Sequence, residues 1–355
     1  MMKNPNIIFP NAFDLAEVLN ECLKRSDLNQ FLQTKGIYFF NAPQEEVAKK
    51  VAGLFLDYDD LEVIRQNAYK NVSKKVLSGF NLKSNSIFDL KGIYEDLRDA
   101  GTLSTKGYTL NTLVKQNISG KIVYRGSITY QSKKPTKMAF LQTEEREVYF
   151  EMKEIDDKYW QVEIDGCKSS DGKAVQKLLQ EAVKGKNIDI DSIDIDKLSV
   201  KSTIEFFDEL AQNGMGNEWL LDDVARLTFK KKEEEEDEED EEQNATSEQL
   251  SGITQAILEG KNLRDNTFVR TSEDAGYIFT AMTYVFSNKV EGKRINIRAE
   301  FKGSPKIFEV SLEGYQEKNI VGYEDCFSKL AENENITYRS FFWNRAKEIF
   351  DRLKR

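Results

Sequence analysis

The residues of this chain best suited to chemistry lie in the run Ala299-Glu300-Phe301-Lys302-Gly303. In an extended segment successive side chains point to opposite faces, so Glu300 and Lys302 project to one side and Phe301 to the other. A carboxylate and an ammonium placed together can hold a divalent ion and stabilise charge developing on a phosphate. Asp274 is the upstream carboxylate that would complete such a site. The expected catalytic set is therefore Asp274, Glu300 and Lys302, with Asp274 and Glu300 as ligands to a divalent metal such as Mg and Asp265 as a less constrained alternative. The same three-residue pattern recurs at Glu151-Met152-Lys153, so half-exposed strands generate it readily and ordinary sheet faces are the simpler reading of both.

Several other chemistries are closed or unsupported. The sequence contains no histidine, which removes His-dependent triads, imidazole bases and His-ligated metals. Cys22, Cys167 and Cys326 are far apart and form no short metal-binding pair, a usage that fits a reducing compartment and a cytoplasmic protein. The aspartate-rich stretch Asn187 to Asp196 lacks the glycine and terminal glutamate of a calcium loop, and Gly214-Met215-Gly216 is a turn signal without a phosphate-loop lysine. Trp160, Trp219 and Trp343 read as core or interface anchors.

Positive charge suited to phosphate contact gathers in two places. Lys261, Arg264 and Arg270 flank Asn262, Asn266 and Thr267 in a polar connection. Arg345 and Arg352, with Lys347, Lys354 and Arg355, give the last helix a basic side, although cations near a helix C-terminus also favour its dipole. Lys261, Arg264, Arg270, Arg345 and Arg352 are thus the expected nucleic-acid-binding residues.

The elements that must position these residues define an α+β chain: a mainly helical N-terminal region, then mixed α/β middle and C-terminal regions separated by a flexible acidic segment. Apolar residues at three- and four-residue spacing (Leu15, Val18, Leu19, Cys22, Leu23) predict a first helix, and Leu28, Phe31 and Leu32 extend helical patterning to a stop near Gly36. Asn41 is the expected cap of a further helix, with Pro43 in its first turn and Val47, Val51, Leu54 and Phe55 on one face. Another helix is expected from Asp89 to Gly101. Aromatic and β-branched residues predict strands at Lys121 to Gln131, Glu147 to Ile155 and Tyr159 to Ile164, the last two joined by a turn at Asp156, Asp157 and Lys158. Helices are expected at Gly172 to Val183, Ser202 to Leu210 and Leu220 to Ala225, followed by a strand-prone Leu227 to Phe229. Leu250, Ile253, Ile257 and Leu258 suggest a helical stripe, Tyr277 to Phe286, Ile295 to Phe301 and Ile307 to Leu312 suggest strands, and Tyr338 to Leu353 an amphipathic helix. The resulting domain map is 1–104 helical, 105–231 mixed, 232–249 acidic and 250–355 α/β.

The uninterrupted run Glu233 to Glu242 carries ten negative charges, equal to the whole net charge of -10. Like-charge repulsion favours a solvated segment there over a packed helix. The 355 residues include no run that approaches a membrane span, and no membrane partner is expected.

Three resemblances bear on function. Glu300-Phe301-Lys302 is similar to the Glu-x-Lys portion of restriction-endonuclease-like phosphodiesterase cores, though no proline-aspartate element accompanies it. Two short helices joined across an extended apolar connection, over about Ser26 to Leu61, resemble helix-extended-helix modules of some nucleic-acid-binding proteins, with Lys35, Lys49 and Lys50 as candidate basic residues, but Glu45, Glu46, Asp57, Asp59 and Asp60 surround the same patch and favour core packing. Asn20 to Leu61 together with Ala256-Ile257-Leu258-Glu259-Gly260-Lys261-Asn262-Leu263-Arg264-Asp265-Asn266-Thr267-Phe268-Val269 resembles non-nuclease partner proteins of two-gene prokaryotic antiviral defence systems. That last resemblance implies a non-enzymatic assembly or regulatory subunit without a cofactor, bound to a protein partner that is a nuclease, and in contact with invading DNA or RNA. The competing expectations are a metal-dependent nuclease and a purely structural interaction subunit. Replacing Glu233 to Glu242 by a neutral flexible segment is expected to change the salt dependence of partner or nucleic-acid binding, and unchanged binding across a salt series would reject a role for the tract.

Overall fold

The computed structural model describes residues 10–72, 75–85, 92, 93, 95, 97, 107–118, 120–133, 143–166, 168–231, 255–260, 263, 269, 271, 272, 275–303, 306–320 and 322–354. The fold is α+β, and the chain divides into two compact units. One comprises Met1–Lys74, Thr105–Thr109 and Thr129–Glu147, and the other Lys75–Ser104, Leu110–Ile128 and Val148–Arg355. Asp274, Asp265, Lys261, Arg264, Arg270 and the acidic run lie outside the described residues, as does most of the helix expected from Asp89 to Gly101, of which Gly92, Ile93, Glu95 and Leu97 are helical.

The first unit contains α1 (Ala12–Glu17), continued by one π turn at Val18–Cys22, then α2 (Arg25–Thr34), α3 (Gln44–Ala52) and α4 (Tyr58–Val72). Asn11 caps α1 by accepting from the Asp14 N–H at 2.8 Å. The expected stripe Leu15, Val18, Leu19 and Leu23 is buried with Leu28, Phe31, Leu32, Val47, Val51, Leu61 and Ile64 in one core. Gln44 ties α3 to the end of the first helix by donating to the Leu19, Asn20 and Leu23 carbonyls. Two expectations fail here. Asn41 takes a left-handed φ of 50° in the connection and Pro43 is the N-cap of α3, because proline cannot donate and its fixed φ suits a helix entry. Leu54 and Phe55 lie beyond the end of α3 and are exposed, since the helix stops at Ala52 and the periodicity no longer applies.

The strands, wholly or largely in the second unit, are β1 (Val76–Ser84), β2 (Tyr108–Ile118), β3 (Lys121–Lys133), β4 (Thr143–Asp156), β5 (Tyr159–Gly166), β6 (Ile188–Ser192), β7 (Leu220–Lys231), β8 (Gln255–Glu259), β9 (Tyr277–Asn288), β10 (Lys293–Lys302), β11 (Ile307–Lys318) and β12 (Tyr323–Asp325). They form one sheet in the order β2-β3-β4-β5-β1-β11-β10-β9-β7-β8, with β6 paired to β1 and β12 to β11. The central strand, β1, lies in the region expected to be helical. Both its faces are buried, and the polar Ser78 and Asn81 are buried along with its apolar residues, so the hydrophobic pattern does not mark the strand's burial. Leu220 to Ala225, expected to be helical, belongs to β7, where register shifts between Leu221 and Asp223 and between Val224 and Arg226 break the period-two pattern. Ile257 and Leu258, read as part of a helix, sit in the short outer strand β8.

Three helices, α5 (Ser169–Ala182), α6 (Val200–Asn213) and α7 (Glu332–Leu353), cover the sheet. Asp171 accepts from the Lys168 N–H at 2.9 Å in the first turn of α5, and Ser199 caps α6 by accepting from the Ser202 N–H at 3.0 Å. Adjacent β1 residues show which face each helix covers. Ser78 faces Gly172 of α5, whereas a Cβ on Gly79 would meet Trp343 of α7 at 3.0 Å and the Val162 carbonyl. The two helices therefore lie on opposite faces of β1. On the α7 side, Phe206 and Phe207 of α6 pack edge-on against Phe308 and Phe279, with ring centroids 5.6 and 6.0 Å apart, and Phe342 lies 5.6 Å from Tyr284. Among the described residues no helix is long and apolar enough to cross a membrane.

The aspartate-rich stretch has a structural role. Asp191 on β6 accepts from Lys83 at 2.8 Å, Lys347 at 2.9 Å and Lys354 at 3.0 Å, and both α7 lysines also reach Asp351 at 2.6 Å. Burial alone would raise the Asp191 pKa, but the three ammonium groups hold it well below the carboxylate range. At the more deeply buried Lys347 the balance runs the other way, and desolvation keeps the amine below its ordinary range despite both aspartates. A carboxylate with a depressed folded pKa contributes stability above its unfolded pKa and loses it as pH falls. Asp191→Asn is therefore expected to cost about 3 kcal/mol near neutral pH, the scale for removing one partner of a buried pair. The gap from wild type should close as pH falls below about 4, the unfolded carboxylate pKa, in denaturant titrations across pH.

Candidate functional site

The expected catalytic pair occupies the sheet face opposite α6. Along β10, Ile295, Ile297, Ala299 and Phe301 are buried, which turns Arg298, Glu300 and Lys302 to the other side as period-two alternation requires. Glu300 accepts from the Arg298 Nε at 3.2 Å and lies 3.9 Å from the Lys302 ammonium. Sequence reasoning missed Glu309, which β11 places directly across from Glu300. It is 2% exposed, and its Oε1 has no hydrogen-bond partner among the described residues. Burial, then the charges of Glu300 and Asp171, outweigh Lys302 and Lys173 and push the Glu309 carboxyl up to about 8. Among the described residues no group of three or more Asp, Glu or Cys side chains is placed to hold a metal ion.

The second copy of the pattern, Glu151-Met152-Lys153, borders the larger opening. A groove of about 570 Å³ lies between α7 and the adjoining face of β3, β4 and β5. The expected hairpin at Asp156 to Lys158 pairs Tyr149 with Asp165, Glu151 with Glu163 and Lys153 with Gln161. All six therefore point to the α7 side, while Val148, Phe150 and Met152 are buried on the other. Lys153 donates to Glu163 at 2.7 Å and lies 3.3 Å from Glu151, which also takes the Arg125 Nε. Glu163 in turn accepts from Gln161 at 2.8 Å and from Ser340 of α7 at 2.9 Å, and Gln161 donates to Asn344. Asp165 accepts from the fully buried Arg339 at 2.8 Å. Ile336, Thr337, Ser340, Phe341 and Asn344 supply the helical wall. The groove thus has an ordered, charge-alternating floor beside apolar and aromatic walls.

Of the residues expected to contact nucleic acid, Arg345 and Arg352 are described, and each faces a carboxylate. Arg345 pairs with Glu348 at 2.7 Å, and Arg352 pairs with Glu209. In the helical unit Lys35 pairs with Asp60, Lys49 with Glu45 and Lys50 with Glu46. Arg125, Glu163 and Asp165 carry no sequence motif. The predicted hairpin register was the signal that could have set Glu163 beside Glu151.

Compared with known proteins, the chain matches no family model and no curated protein sequence.

Because its folded pKa is raised, Glu309 binds its proton more tightly in the native state. Its favourable contribution is complete below the unfolded carboxylate pKa and is lost as pH rises through about 8. Glu309→Gln, which mimics the protonated form, is expected to become progressively more stable than wild type between about pH 5 and pH 8, the difference levelling above that range. A melting-temperature difference that does not change with pH would exclude a buried, protonated Glu309.

Proposed function

We propose that the chain is a non-enzymatic assembly or regulatory subunit that works by binding a protein partner. The observation that carries this reading is the apolar surface left open on the helical unit: Phe55 is 97%, Phe40 86% and Phe13 78% exposed, with Tyr38, Leu54, Tyr58 and Val63 also exposed. Single exposed apolar residues are ordinary, but here Tyr38, Phe40 and Phe55 in the connections join Phe13 of α1 and Tyr58 of α4 around one small core, and exposed aromatic side chains of this kind are what partner surfaces use. The sequence resemblance to non-nuclease subunits of two-gene prokaryotic antiviral systems supplies the context, with a nuclease as the partner and the cytoplasm as the compartment. Contact with DNA or RNA would fall to Lys261, Arg264 and Arg270 rather than to Arg345 and Arg352, whose guanidinium groups already face carboxylates.

The test is native mass measurement of the chain purified from its own host, with nucleic acid extracted from the same sample. A defined complex with a second protein is expected, and the double variant Phe40→Ser/Phe55→Ser should lose that partner while keeping its fold. A monomer that cleaves nucleic acid with divalent metal, and loses turnover in Glu300→Gln, would overturn the reading in favour of a nuclease.

A further inference from the structure

The groove beside α7 has opposite charge capacity at its two ends. At one end Asp165 uses Oδ1 for Arg339, and its second oxygen has no partner among the described residues. Tyr149, its cross-strand neighbour, is 57% exposed, so a carboxylate oxygen and an aromatic ring stand side by side. That pairing favours a cation. At the other end Arg125 spends its Nε on Glu151, leaving the two terminal nitrogens of its guanidinium, on a half-exposed side chain, for a carboxylate. Glu151, held by Arg125 and Lys153, stands between them, Lys153 and Glu163 satisfy each other beside it, and the walls offer Leu77, Ile336 and Phe341.

Arg125 is one strand removed from β4 and Asp165 lies on the far side of it, at the level of Tyr149 rather than Glu151. Strand spacing and rise then set the two residues on the order of 10 Å apart. Three residues of extended peptide span roughly the same distance. The volume of about 570 Å³ falls within the range of small-ligand sites.

We infer that this groove binds a short peptide through both of its ends, the free amine at Asp165 and Tyr149, the free carboxylate at Arg125, and an apolar or aromatic side chain against Phe341 and Ile336. A phosphate, which carries more negative charge than a single carboxylate, is the less favoured anion, because Glu151, Glu163 and Asp165 all line the same opening. The site does not depend on the aromatic surface of the helical unit, so either can fail without the other.

The experiment is calorimetric titration of the full chain with the tripeptide Ala-Phe-Ala in three forms: free, N-acetylated and C-amidated. Blocking either end is expected to weaken binding at least tenfold. Arg125→Ala should bind the free and amidated peptides equally, having lost its preference for the carboxylate. Asp165→Asn should bind the free and acetylated peptides equally. Because Asp165 also holds the buried Arg339, the surface variant Arg125→Ala decides the matter if Asp165→Asn does not fold. The inference is overturned by no binding of the free peptide at millimolar concentration, by equal affinity of wild type for free and blocked forms, by an undiminished carboxylate preference in Arg125→Ala, or by tighter binding of uridine monophosphate than of the peptide.

Discussion

Burying α7 takes Arg339 and Lys347 into the interior together with Phe342, Trp343, Ala346 and Phe350. An unpaired buried charge is far more costly than a lost hydrogen bond, so the apolar packing of this helix depends on matched carboxylates beneath it. Asp165 on β5 receives Arg339, and Asp191 on β6 receives Lys347. Both strands pair with β1, whose Gly79 leaves room for the Trp343 ring. The position of the last helix, the order of the central strands and the absence of a side chain at one glycine are therefore aspects of a single constraint.

The same constraint makes the groove. Residues 336, 337, 340, 341 and 344 form the side of α7 that lines the groove, while the helix stays anchored through the adjoining side that carries Arg339, Trp343, Lys347 and Phe350. Glu163 joins the two functions, since it receives Ser340 from the helix and Lys153 from β4. Polar groups held by such a network keep their orientation before any ligand arrives, which lowers the ordering cost of binding. On the other face, Glu300 and Glu309 meet side by side, and Arg298 and Lys302 pair with Glu300, the less buried of the two.

Local pattern was enough to locate the elements whose periodicity survives in the fold. Ala174, Val175, Leu178 and Leu179 marked α5, Phe342, Ile349, Phe350 and Leu353 marked α7, alternation marked β4 and β10, and the apolar run Ile307 to Leu312 marked β11. It failed where tertiary context removes the pattern. β1 is buried on both faces, β7 is shifted by bulges, and β8 is short and lies at the outer end of the strand order. The basic side of α7 was legible as composition but only partly as chemistry: Arg345 meets Glu348 and the lysines meet Asp351 within the same segment, whereas the Glu209 that meets Arg352 and the Asp191 that meets Lys347 and Lys354 lie far away in sequence.

The sequence by itself determined the α+β class, the helical N-terminal unit, the exclusion of imidazole chemistry and the location of all ten units of net negative charge in one run. These follow from composition and from spacings of a few residues. Only the tertiary structure decided which charges face one another. It turned an ordinary Glu-x-Lys repeat at Glu151 and Lys153 into part of a groove floor, and set the pattern at Glu300 and Lys302 beside a buried carboxyl instead. The reason is physical: strand alternation fixes the side to which a residue points, whereas its neighbours there are fixed by strand order and register across the whole sheet.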